Sequence, residues 1–248
     1  MHLCQQIINI NDNNSKLKIM PLDKGKYGLF RKHYKILLKK DFIESDQWLD
    51  WFVGFSEGDD CLFTSVKNNR CYFILTQKEI SILNHIKDVF DFGNVKLFNY
   101  NNKSVKTKTD IIDFGRWTCY DKKLIVLLYL IFNGNLYLKS KNTDLNNWYN
   151  ILMNSPLSRL KAVGITSLNL IPIFNPKLNK PKLYNSLLSG FIDAEGCFTI
   201  SFYTSEKVAV RFILDQAEEE ILLNNIGILF SNKPSVYLRK TKGKDIYR

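Results

Sequence analysis

Two carboxylates, Asp59 and Glu195, stand near the ends of two nine-residue segments of similar pattern, FVGFSEGDD (52–60) and LSGFIDAEG (188–196). Acids brought together in a folded chain repel and raise each other's pKa unless a countercharge is present. A divalent cation supplies that charge and lowers the pKa of the water it binds. The chemistry open to this pair is therefore metal-assisted, provided the fold delivers both acids to one place. Histidine and cysteine offer no competing centre. His2, His33 and His85 are isolated, and Cys4, Cys61, Cys71, Cys119 and Cys197 show neither CxxC spacing nor a histidine at zinc-ligand spacing. Scattered, odd-numbered thiols suit a reducing compartment, and Cys61 and Cys197, each just after a motif, are expected to be small buried side chains at strand starts.

Delivery of the acids rests on small residues. Gly54 with Gly58, and Gly190 with Ala194, lie four apart and so share one helix face. Helix axes usually sit about 8–10 Å apart, whereas glycine and alanine permit closer backbone approach. Either segment alone could be a core helix ending in a solvated acid; two copies point instead to repeated lobes of about 100–150 residues. Ser45 and Asp46 offer N-caps for the first helix, whose apolar face is Trp48, Leu49, Trp51, Phe52 and Phe55. Strand-like runs follow each motif, Cys61–Lys67 with Tyr72–Gln77 and Cys197–Thr204 with Val208–Gln216. Helical runs come next, Lys78–Phe90 and Ala217–Phe230. Val95–Tyr100 and Ile111–Cys119 form a second hairpin around the basic loop Asn101–Asp110, and Lys122–Phe132 is an apolar helix. Four prolines, Pro156, Pro172, Pro176 and Pro181, mark 155–182 as a semi-extended linker. The expected division is an N-terminal extension at 1–45, a first lobe at 46–154, the linker, and a second lobe at 183–248.

The formal charge of +11, from 35 basic against 24 acidic residues, points to a polyanionic partner. Arg70, Tyr72, Lys96, Tyr100, Lys103, Lys106 and Lys108 place basic and aromatic groups on sheet and turn positions suited to nucleic acid. The basic run Arg31–Lys40 reads as part of an arm. No apolar stretch approaches the length of a membrane span, and the N-terminus lacks a signal-peptide core. Heavy use of Asn, Lys, Ile and Leu is what an A+T-rich coding sequence produces, which suits an organelle genome.

Both segments resemble the LAGLIDADG motif of homing endonucleases, the second more closely, and the likeness extends through the following strands to Gln77 and Gln216. It covers roughly 47–150 and 183–248 and resembles the single-chain, two-motif branch of that family. The resemblance implies an α+β fold of two pseudo-symmetric αββαββα lobes with saddle-shaped antiparallel sheets. It implies a monomeric, sequence-specific endonuclease acting on double-stranded DNA at a long, asymmetric site, using Mg²⁺. Asp59 and Glu195 would hold the metal, helped by the carbonyls of Gly58 and Ala194; Gln77 and Gln216 would orient solvent; Lys122 or Lys123 would supply charge near the phosphates. Such proteins are often encoded in introns of organelle genomes, which places this one in the mitochondrion. Two other readings remain: an RNA-binding maturase acting on its intron, and an inactive DNA-binding remnant.

Two departures bear on activity. Asp60 occupies the motif's last position, where the pattern has the glycine found at Gly196; left-handed backbone there would cost aspartate about 1–2 kcal/mol. And the chain ends at Arg248, a place corresponding to about Ile112 in the first half. The second lobe is therefore expected to be incomplete, lacking a counterpart of the apolar helix Lys122–Phe132 and exposing an apolar sheet face.

Overall fold

The computed structural model describes residues 25–99, 112–156, 160–161, 164–165, 171–203, 207–231, 235–240 and 245–248. Tyr100, the Asn101–Asp110 loop with Lys103, Lys106 and Lys108, and the first 24 residues lie outside them. The first element among the described residues is helix α1 (Gly28–Leu38), so the run taken for an arm is largely folded. Tyr27, Phe30, Tyr34 and Phe42 are buried against Phe90. Arg31, itself buried, donates to the carbonyls of Phe42 and Glu44 and to Asp46, which ties α1 to the helix that follows.

The first lobe runs α2 (Asp46–Asp59), β1 (Asp60–Ser65), β2 (Arg70–Gln77), α3 (Ile80–Phe90), β3 (Asn94–Phe98), β4 (Phe114–Cys119), α4 (Lys122–Phe132) and α5 (Lys139–Met153). Ser45 caps α2 by accepting from the Trp48 amide. The antiparallel sheet has the order β1-β2-β4-β3. Strand alternation sends Cys71, Phe73, Leu75, Trp117 and Cys119 into the core. There Phe52 of α2, Phe90 of α3 and Phe132 of α4 stack around Phe73 and Trp117. Helix α4 is buried without a break from Ile125 to Phe132, because it lies between the sheet and α1.

The segment from Ile171 is extended but fixed in place. Asn133 and Asn175 are paired through backbone partners, the Asn179 amide donates to Leu136, and the Tyr129 hydroxyl donates to Pro172. It leads to α6 (Ser186–Glu195), capped by Asn185, then β5 (Gly196–Phe202), β6 (Val208–Leu214), β7 (Gln216–Ala217), α7 (Glu220–Phe230), β8 (Leu238–Lys240) and β9 (Asp245–Tyr247). Pairing follows β5-β6 and β7-β9-β8. Only Asp215 separates β6 from β7, so the second half repeats the strand order of the first. Gly196 opposes Leu214 as Asp60 opposes Leu75, and Gln216 opposes Tyr247 as Gln77 opposes Gly115. The fold is the expected mixture of helix and antiparallel sheet.

No counterpart of α4 occurs in the second half among the described residues, and the sheet face it would cover is open. Phe198, Ile200 and Phe202 of β5 and Val208, Val210 and Phe212 of β6 form one exposed apolar ribbon. Phe198 and Phe212 also line a cleft of about 470 Å³ with Leu223, Ile226 and Phe230.

The backbone at the motif ends corrects one expectation. Gly196 has φ −79° and ψ 139°, and Asp60 is the first residue of β1. An extended conformation is open to aspartate, so no left-handed penalty arises there. Glycine is needed at 196 for space instead, since a Cβ would come 2.7 Å from the Phe212 ring.

Candidate active site

Helices α2 and α6 meet backbone to backbone. A Cβ on Gly54 would overlap the carbonyl oxygen of Leu187, and one on Gly190 would overlap that of Trp51. Each glycine of one helix thus faces the main chain of the other, a reciprocity that makes the contact a pseudo-twofold one. One turn further on, a Cβ on Gly58 would lie 2.6 Å from that of Ala194 and 2.8 Å from Cγ of Glu195. The spacing of small residues read from the sequence therefore positions the ends of both helices, and with them Asp59 and Glu195.

The two acids occupy matched surroundings. Gln77, at the end of β2, donates through Nε2 to Asp59 Oδ2, and Gln216, at the start of β7, hydrogen-bonds Glu195. Burial raises the pKa of Asp59, opposed by the Gln77 hydrogen bond and the charge of Lys141. Burial likewise raises that of Glu195; Gln216 and Lys141 oppose it, while Asp59 and Asp215 add to it. The charge of Asp59 thus bears on Glu195 across the lobe interface. Among the described residues no three His, Cys, Asp or Glu side chains cluster as a metal cage. Two carboxylates held by side-chain amides form a sparse, all-oxygen donor set. It fits a hard ion that keeps several waters and takes further oxygens from a substrate, as Mg²⁺ does.

Lys141 is the residue that sequence reasoning missed. It lies in the first turns of α5, a helix too polar to announce itself, and its charge bears on both acids. Lys122, one of the two expected cations, donates to Ser155 Oγ at 2.6 Å and bears on Cys71. Cys61 and Cys197 are exposed rather than buried. Their positions fall on the sheet faces opposite the cores, since it is their neighbours Leu62 and Phe198 that share a face with Phe73 and Phe212. Cys71 and Cys119 are the buried thiols, and burial pushes Cys71 up to about 12.

The open face of the first sheet carries Phe63, Arg70, Tyr72, Lys96 and Arg116. Arg116 packs over the rings of Phe98 and Phe114, with centroid distances of 4.8 and 5.1 Å. On the second sheet Arg211 lies over Tyr203 and donates to Ser201.

Residues 188–248, the second motif and all that follows it, match the family model described as LAGLIDADG endonuclease. A "Probable intron-encoded endonuclease 4" of Neurospora crassa is 32% identical, with 77% of this chain and 32% of that protein covered. The second half of the chain is similar to the LAGLIDADG family. It spans about a third of the length of this curated relative. Among solved structures, the I-SmaMI K103A mutant aligns with a TM-score of 0.52 at 17% identity, over 82% of this chain and 77% of that one. The LAGLIDADG meganuclease I-AabMI, solved bound to uncleaved DNA, aligns with a TM-score of 0.50 at 20% identity over the same shares. At these identities the likeness is one of fold, and it agrees with the two-motif arrangement built above from the residues of this chain.

Proposed function

We propose that this chain is an intron-encoded homing endonuclease that hydrolyses phosphodiester bonds in both strands of a long, asymmetric DNA site. The observation that carries the reading is the delivery of one half-buried carboxylate from each lobe, Asp59 and Glu195, to the ends of two touching helices, each held by its own glutamine. Phosphodiester hydrolysis demands little covalent chemistry from a protein. It requires an oriented water and neutralised charge at the phosphate. Mg²⁺, held by Asp59 and Glu195 with the carbonyls of Gly58 and Ala194, would supply that charge and a water of lowered pKa. Gln77 and Gln216 fix the carboxylates and present amide groups toward solvent at the site. Affinity comes from the net charge of +11 acting on phosphates, so binding weakens steeply with salt. Arg70, Lys96, Arg116 and Arg211 on the open sheet faces contact base edges and backbone. The Neurospora relative's description as intron-encoded supports an origin in an intron, and with the A+T-rich composition we place the protein in the mitochondrion.

The test is a cleavage assay on DNA flanking the gene's own insertion point. With Mg²⁺ the parent cuts both strands; with chelator it cuts neither. Asp59→Asn or Glu195→Gln alone lowers double-strand cleavage by about a thousand-fold or more while leaving binding in Ca²⁺ intact. Failure of the parent to nick either strand at any protein excess would remove the endonuclease reading.

A further inference from the structure

The glutamines that hold the two acids mark the same step in both sheets, and one residue away from that step each sheet carries an arginine. Thr76 opposes Arg116 on β4, and Arg116 opposes Lys96 on β3. In the second half Gln216 opposes Tyr247, so Asp215 takes the place of Thr76 and Arg248 that of Arg116. The main chains of Arg248 and Tyr237 exchange both hydrogen bonds at 3.0 Å, which puts Tyr237 in the place of Lys96. Phe212 and Leu214 lie on the cleft side of β6, so alternation assigns Asp215, like Arg211, to the open face. The two arginines are held in different ways. Arg248 donates from Nε and Nη2 to the two carboxylate oxygens of Asp215, each at 2.6 Å, and the paired side chains stay 34% and 36% exposed. Arg116 lies over the rings of Phe98 and Phe114.

We propose that Arg248, aligned by Asp215, reads a guanine in the half of the DNA site that the second lobe covers. This rests on the reading of the open sheet faces as the surface that contacts DNA. An exposed ion pair adds little to stability, so the chief effect of Asp215 is to fix the plane of the guanidinium. The carboxylate takes Nε–H and one Nη2 hydrogen. Nη1 and the other Nη2 hydrogen form the remaining edge, whose two parallel donors match O6 and N7 of guanine in the major groove. A fork fixed in this way loses both hydrogen bonds on meeting another base and cannot swing aside to a phosphate. The carboxylate also offsets the arginine's charge, so the pair contributes discrimination more than bulk affinity.

The experiment measures binding of the full chain, in Ca²⁺, to the insertion-point duplex, to a set in which each base pair is changed in turn, and to a scrambled duplex of equal length. For the parent, replacing one G·C pair in one half of the site weakens binding about ten- to a hundred-fold. Arg248→Lys keeps the charge but not the fork; it flattens the preference at that pair and leaves the preferences at other positions as in the parent. Asp215→Ala keeps the arginine but releases it. The preference at the same pair falls to about three-fold, while the scrambled duplex is bound as well as by the parent or more tightly, because a negative charge is gone. A merely structural ion pair would lower the melting temperature of both variants and leave the base profile as it was. An arginine on phosphate would weaken every duplex alike when changed. Either pattern overturns the proposal. If the parent binds the insertion-point duplex no better than the scrambled one, the reading of a specific DNA site fails and this inference falls with it; a parent preference that both variants leave intact refutes this inference alone.

Discussion

The two lobes place equivalent residues in opposite environments. Phe73 on β2 and Phe212 on β6 hold the same register position, yet Phe73 is fully buried beneath α4 and Phe212 is 38% exposed. Leu62 and Phe198 repeat the contrast, as do Phe90 of α3 and Phe230 of α7. The acids two residues before Asp59 and Glu195 differ in the same way. Glu57 is buried against three amide contacts, whereas Asp193 is exposed and accepts from the Trp51 indole. What survives in both lobes is the inner helix, its small residues and its glutamine-held acid. A site at the pseudo-twofold axis needs only the inner layers to match; the outer layer of each lobe sets how firmly that lobe stands.

The comparison is open to direct attack. The largest effect should come from Phe73→Ala, which empties a position walled by Phe52, Trp117 and Phe132 and costs about 3–5 kcal/mol in denaturant unfolding. Phe212→Ala should cost under about 1 kcal/mol and lower the binding of an apolar dye; equal losses at the two positions would mean that the second sheet is covered in solution. Next is Glu57→Gln, expected to remove about 1–3 kcal/mol because a buried charged acceptor of main-chain amides is weakened. Asp193→Asn should stay within about 0.5 kcal/mol, and comparable losses would erase the distinction between the two acids.

The smallest effect concerns features the lobes share. Asp59 and Glu195 both have their pKa raised by burial, so the folded state favours their protonated forms. Metal-free protein therefore gains stability from them at low pH and loses it as pH rises through their folded-state values. Asp59→Asn and Glu195→Gln should raise the melting temperature by about 1–4 °C at pH 7 in chelator, and the gain should vanish below pH 4. A drop in melting temperature at neutral pH would show that the charged forms stabilise the fold.

Much of this arrangement was legible before any coordinates. Small residues four apart gave the helix contact because only glycine and alanine allow it, and alternation in 70–77 and 208–214 gave strands whose inward positions are apolar. Both glutamines lie where the repeated strands end. Three features were not legible. Helix α1 has Tyr27 at its N-cap, which makes no side-chain cap, so nothing local marks its start. Helix α5 buries only Leu145, Trp148 and Leu152 with Asn142 amid polar residues, and its sequence pattern is correspondingly faint. Lys141 bears on the acids through its charge from that helix, and Lys122 hydrogen-bonds Ser155. Both outcomes depend on tertiary packing that no spacing along the chain encodes.

At Gly54 and Gly190 each lobe abuts the other's main chain instead of its side chains. A peptide carbonyl is identical in every sequence, so neither half can compensate for a larger residue at these positions, and neither needs to recognise a particular partner. One turn on, Gly58 meets the side chains of Ala194 and Glu195, and the Trp51 indole donates to Asp193, so side chains complete the seam around those two glycines. Halves taken from different members of such a family should be exchangeable across it wherever both keep those glycines and the small residues beside them, and the open sheet faces are then free to diverge one at a time.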